Sequence, residues 1–94
     1  MENKLATYLG FAIKSRQLIY GVDNILEKAR KVEIIICDEK LSENSLKKVM
    51  NLEKPIYTYP DLDVLLNTTN CKAIAITSKE LAKAIKELNI LKEV

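Results

Sequence analysis

Glu33-Ile34-Ile35-Ile36-Cys37 places four apolar, mostly β-branched residues in a row directly after a charged one. A strand with one wet face alternates polar and apolar side chains, so this unbroken run predicts a strand buried on both faces, at the centre of a sheet. Asp38-Glu39 close the run. Acids at the end of a central strand can bind a cation or be modified there, because open α/β sheets hold ligands beyond the carboxyl ends of their strands. The simpler reading is a solvated loop that helps to start the next helix.

Upstream of the run, Val22, Ile25, Leu26 and Ala29 recur at i, i+3, i+4 and i+7, the stripe of an amphipathic helix from Gly21 to about Lys31. Asp23, Asn24, Glu27 and Lys28 then face outward. Leu18 to Tyr20 reads as a short strand, preceded by a helix over about Glu2 to Ile13 that gathers Leu5, Tyr8, Leu9, Ala12 and Ile13 on one side. Downstream, Ser42 caps a helix carrying Leu46, Val49 and Met50, which finishes near Asn51 before Pro55. Ile56 to Tyr59 forms the third strand. Pro60-Asp61 opens a short helix with Leu62, Leu65 and Leu66 inward, the polar loop Asn67 to Asn70 follows, and Ala73 to Ile76 forms the fourth strand. Thr77-Ser78-Lys79-Glu80 fits a capping box with Thr77 at the cap, opening a last helix that uses Leu81, Ile85 and Leu88. Strand and helix alternate throughout. Alternation of this kind implies an α/β fold: a single-domain, three-layer α/β/α sandwich around a four-stranded mixed sheet, spanning residues 1–94.

Composition agrees with one compact unit. The 94 residues are 48% hydrophobic with only two Gly and two Pro, which fits one core and argues against disorder. The longest apolar runs are too short to span a bilayer and the N-terminus lacks a signal-peptide core, so the expected location is the cytoplasm, with no membrane partner. Cys37 and Cys71 are expected to be free thiols. There is no histidine, which removes Ser-His and Cys-His pairs, and no CxxC, HExxH or carboxylate-rich loop suggests a metal. With Gly10 and Gly21 as the only glycines, no phosphate-binding glycine motif can be written either. The expectation is a protein with no catalytic residues, no metal and no cofactor.

The net charge of +2 is modest but unevenly spread: residues 1 to 31 carry +3, residues 32 to 63 carry −3 and residues 64 to 94 carry +2. The basic segment contains the connector Lys14-Ser15-Arg16-Gln17, which leads through Leu18-Ile19-Tyr20 to Gly21 and the helix behind it. A helix start beside basic side chains can hold a phosphate backbone. A glycine there can take positive φ and lets another backbone come close. The same residues also fit an ordinary strand-to-helix turn with a solvated face.

Leu9-Gly10-Phe11-Ala12 before that connector, Leu18-x-x-Gly21, and Ile34-Ile35-Ile36-Cys37-Asp38-Glu39 resemble the kink-turn-binding ribosomal protein family, here called L-seven-Ae-like, and in particular its small bacterial single-domain members. Ser42-Glu43-Asn44-Ser45 with Lys47-Lys48, and Ala73-Ile74-Ala75-Ile76-Thr77, are similar to segments of the same proteins. The resemblance runs from about Leu5 to Leu88. It implies a protein that grips a bent RNA at tandem sheared G·A pairs, with contacts at Gly21, Val22, Asp23, Asn24 and one turn further, and a second contact from the loop before the final strand, here Thr69 and Asn70. Asp23 and Asn24 stand where the family commonly has Asn and Glu, Glu27 stands where it commonly has lysine, and the loop Asn67 to Cys71 is polar where an apolar patch is expected.

The function expected from residues and resemblance together is non-enzymatic, ribosome-associated binding of a structured RNA by a monomer, with ribosomal proteins as further partners. Lys14, Arg16 and Lys28 would set affinity and Gln17, Asp23 and Asn24 selectivity. The alternative is a protein-interaction module that keeps the fold without kink-turn binding, with the acidic face around Glu43, Glu53, Asp61 and Asp63 or the Gly21 edge as its partner surface.

Overall fold

A computed structural model describes residues 4–60, 62–66 and 71–94. The apolar run becomes β2, Ile34–Asp38, buried at every position. It lies between β4, Ala73–Ile76, and β3, Ile56–Tyr59. Around these come α1 (Lys4–Lys14), β1 (Leu18–Tyr20), α2 (Val22–Glu27), α3 (Glu43–Met50), α4 (Leu62–Leu66), α5 (Lys79–Glu87) and β5 (Lys92–Glu93). The sheet order is β1-β4-β2-β3-β5. β4 is antiparallel to both β1 and β2, β3 is parallel to β2, and β5 is antiparallel to β3. β1, β2 and β3 therefore run the same way, and their carboxyl ends share one end of the molecule.

The period of two in a strand divides the central apolar residues between two cores. Ile34, Ile36, Ile74 and Ile76 pack with Leu5, Leu9 and Ala12 of α1, Leu62 and Leu66 of α4, and Ala82 and Ile85 of α5. Ile35, Cys37, Ala73 and Ala75 pack on the other face with Ile25 of α2 and Val49 of α3. This is the three-layer arrangement expected. The alanines of β4 on the second face are small enough for α2 to lie close over the strand. Cys37 and Cys71 belong to opposite cores, so the sheet separates them and no disulfide joins them. Burial pushes the Cys37 thiol up to about 11. Cys37 is expected to stay unreactive toward a thiol reagent at pH 8 in the native protein and to react once denaturant is added; rapid native labelling of Cys37, located by mass spectrometry, would contradict its placement.

The structure corrects the sequence reading at several points. The sheet has five strands, not four. The extra strand, β5, pairs Tyr57 with Glu93 and Thr58 with Lys92. Its two residues are charged and exposed, so no apolar alternation announces it; backbone pairing with the open edge of β3 makes it. The helix after Gly21 stops at Glu27, and a 3-10 turn, Ala29–Lys31, carries the chain to β2. The cap of α5 is Ser78, whose Oγ accepts from Leu81 N at 3.3 Å. Thr77 is drawn instead to Gln17 O, to which its N donates at 3.0 Å and its Oγ1 at 3.3 Å. Ser42 caps α3 as read from the sequence, accepting from Ser45 N at 3.3 Å.

α1 ends with Arg16 in the left-handed region, φ 58. Gln17 N donates to Ala12 O at 2.7 Å and Arg16 N to Ile13 O at 3.1 Å, the paired bonds of a Schellman motif. Glycine is favoured at that position, because a side chain there costs about 1 kcal/mol. Arg16→Gly is therefore expected to leave stability unchanged or raise it by up to about 1 kcal/mol in urea unfolding, after the gain in unfolded-state freedom is set against the relieved strain.

Candidate nucleic-acid interface

Gly21 ends β1, its N donating to Ala73 O at 2.9 Å, and opens α2. Its φ of 85 and ψ of 150 lie in a region that only glycine occupies without strain. A Cβ built there meets no heavy atom within 4 Å. The requirement for glycine is thus conformational, and the space above the turn is open to an approaching backbone. Val22 is half-buried toward the second core and Ile25 is fully buried, which holds α2 on the sheet with Asp23, Asn24 and Glu27 exposed. Asn24 Nδ2 donates to Tyr20 O at 2.8 Å. That bond occupies an edge-strand carbonyl and fixes the Asn24 amide beside the Gly21 turn, so its orientation is set before any ligand arrives. Tyr20 itself is 39% exposed. In the sequence it stands as an aromatic residue one place before Gly21.

The expected contacts do not form one cluster. Gln17 lies at the start of β1, beside Thr77, and Gly21 at its end, beside Ala73. Four extended residues separate them by about 13 Å. Lys14, Arg16 and Gln17 therefore sit at one end of the sheet, and Gly21, Val22, Asp23 and Asn24 at the other. The Gln17 side chain is turned to its own neighbour: Ser15 Oγ donates to Gln17 Oε1 at 2.9 Å. Lys28 caps the far end of α2, a helix length away from Gly21. The expectation of a helix start beside basic side chains is corrected accordingly. The first turn of α2 carries Asp23 and no basic neighbour from the connector, and a helix of six residues has little dipole to offer a phosphate. Thr69 and Asn70 lie outside the described residues.

What does sit beside the Gly21 turn is Lys72 and the end of β2. Asp38 N donates to Lys72 O at 2.8 Å, next to the Gly21 bond to Ala73 O. Asp38 is 2% exposed, the only buried charged residue among those described. Its Oδ1 accepts from Lys40 N at 2.8 Å and its Oδ2 from Leu62 N at 2.9 Å. The carboxylate thus fixes the turn after β2 and caps α4 across the fold. The solvated-loop reading of Asp38-Glu39 holds for the exposed Glu39 and fails for Asp38, and the helix that Asp38 starts is not the next one in the chain. Among the described residues no group of three or more His, Cys, Asp or Glu is placed to hold a metal ion. No helix among them is long and apolar enough to cross a membrane.

No family model matches the chain and no curated protein matches it. Among solved structures, a protein with unknown function from Bacillus halodurans C is similar, with a TM-score of 0.78 at 18% identity, over 93% of this chain and 97% of that one. At that identity the likeness shows a shared fold over nearly the full length of both chains. Roles at the Gly21 turn are not carried by it.

Proposed function

We propose that this chain is a non-enzymatic RNA-binding protein that captures a structured RNA, kink-turned or internally looped, at the Gly21 turn and the first turn of α2. The observation that carries this reading is the Gly21 turn itself: a glycine-only conformation with open space above it, flanked by exposed Asp23, a pre-oriented Asn24 and the exposed ring of Tyr20. A sharply bent RNA exposes base edges that an A-form helix hides, and short amide and carboxylate side chains on a fixed turn can pair with those edges. Ribosome association and cytoplasmic location belong to the same proposal, following the L-seven-Ae-like resemblance.

A second reading, a protein-interaction module on the same fold, draws on one observation. At the Gly21 end the segments 21–24, 38–43, 62–63 and 71–72 present Asp23, Glu39, Glu43 and Asp63, besides the buried Asp38, against Lys40 and Lys72. Such a surface does not attract a polyanion by itself.

The deciding experiment titrates the protein against a kink-turn RNA and a matched duplex lacking the G·A pairs, at two salt concentrations. Discriminating binding supports kink-turn capture. Equal, strongly salt-dependent binding would reduce the proposal to backbone contact, and no binding would transfer it to the protein partner. Asn24→Ala is expected to weaken the kink-turn complex about tenfold or more and leave the matched duplex within about twofold, the loss of one base-edge contact.

A further inference from the structure

The charged side chains divide by end of the sheet. At the end opposite Gly21, the segments that lead into β1 and β2, residues 14–17 and 27–33, hold Lys14, Arg16, Lys28, Arg30 and Lys31 against two carboxylates, Glu27 and Glu33. Of the other segments there, 53–54 and 79–80 each balance one acid with one base, and Glu93 of β5 lies at the far edge of the sheet from β1. The two basic segments are brought together by β4. Gln17 O accepts from Thr77 N at 3.0 Å on one side of it, and Glu33 N donates to Ile76 O at 2.8 Å on the other. Two strand spacings place Gln17 and Glu33, where the segments join the sheet, about 10 Å apart. Lys14, Arg16, Arg30 and Lys31 are all exposed, and among the described residues none of them is held in an ion pair. Sequence reading placed Lys14 and Arg16 in the Gly21 site and passed over Arg30 and Lys31, which read as the polar end of a longer helix.

We infer that Lys14, Arg16, Arg30 and Lys31 form a separate, sequence-independent surface for the phosphate backbone of the RNA, at the opposite end of β1 from the Gly21 turn. This rests on the proposal that the ligand is RNA. Electrostatic affinity for RNA must come from cations that displace counterions, and the Gly21 end, with more acids than bases, cannot supply it. β1 is an edge strand, so an RNA lying along it for about 13 Å meets the basic surface at one end and the Gly21 turn at the other. Affinity and selectivity are thereby divided between the two ends.

The test compares K14Q/R16Q/R30Q/K31Q with the charge-retaining K14R/R16K/R30K/K31R and with Asn24→Ala, each titrated across salt against the kink-turn RNA and the matched duplex. The glutamine variant is expected to bind both RNAs at least tenfold more weakly at low salt, with a log–log salt slope shallower by about 3; the charge-retaining variant keeps the native slope. The pairs K14Q/R16Q and R30Q/K31Q each remove about half of the change, and serve if the fourfold variant does not fold by circular dichroism. An unchanged slope in the glutamine variants, with binding lost in Asn24→Ala, overturns the basic surface and leaves RNA capture at the Gly21 turn standing. Loss of slope without any effect of Asn24→Ala supports the basic surface and removes the Gly21 turn from the contact. Wild-type protein that binds neither RNA overturns both.

Discussion

Asp38→Ala is expected to destabilise the protein by about 3 kcal/mol, from the loss of the acceptors of one buried backbone donor, Leu62 N, and one part-buried donor, Lys40 N, at about 1–3 kcal/mol each. In a domain of this size that lowers Tm by roughly 12–24 °C. Asp38 is 2% exposed and its bond to Leu62 N is buried, so that N–H cannot turn to water when the carboxylate is removed. Leu62 opens α4, and Leu62 and Leu66 are the residues that anchor α4 in the core with α1 and α5. Losing the cap therefore loosens α4 at the Gly21 end. Asp38→Asn keeps one acceptor oxygen in nearly the same shape and is expected to cost about half as much. Thermal unfolding of the two variants measures this, and an Asp38→Ala protein within about 0.5 kcal/mol of wild type would show that the carboxylate is not the organising group.

Gly21→Ala should also destabilise, by about 1–3 kcal/mol, although nothing stands where its methyl would go. The cost is conformational, because φ 85 with ψ 150 is closed to a residue with a Cβ. The backbone must then rotate, which moves the Gly21 bond to Ala73 O and the start of α2, and with it Asn24. RNA discrimination is expected to fall in parallel with stability. Gly10→Ala is the matching control. Gly10 lies in the middle of α1, outside the positive-φ region and with open space around it, so the same change there should stabilise by about 0.5–1 kcal/mol. Opposite signs at the two glycines, read by urea unfolding, would separate backbone requirement from simple helix preference. Equal signs would remove the special role of Gly21.

The two predictions show unequal legibility. Gly21 was visible in the chain as a punctuation mark between a short strand and an amphipathic pattern. Asp38 was visible only as an acid after a strand, since its partner Leu62 lies 24 residues further on and no local pattern links them. Lys14 and Arg16 misled for the same reason in reverse. Their nearness to Gly21 in sequence became a separation of about 13 Å once the intervening residues were stretched into β1. The segment of Arg30 and Lys31, distant in sequence from that of Arg16, enters the sheet at Glu33, about 10 Å from Gln17, because β4 inserts between β1 and β2.

The sequence by itself determined the order of the helices and the first four strands, the full burial of β2, the Ser42 cap and the two-sided core. Each of these follows from side-chain periodicity or from a bond within a few residues, which are local physics. Only the tertiary structure decided the fifth strand, the choice of Ser78 over Thr77 as a cap, the burial of Asp38 and the end of the sheet to which each cation belongs. Those depend on backbone groups far apart in the chain that must find partners once water is excluded, and on strand direction, which reverses which residues meet.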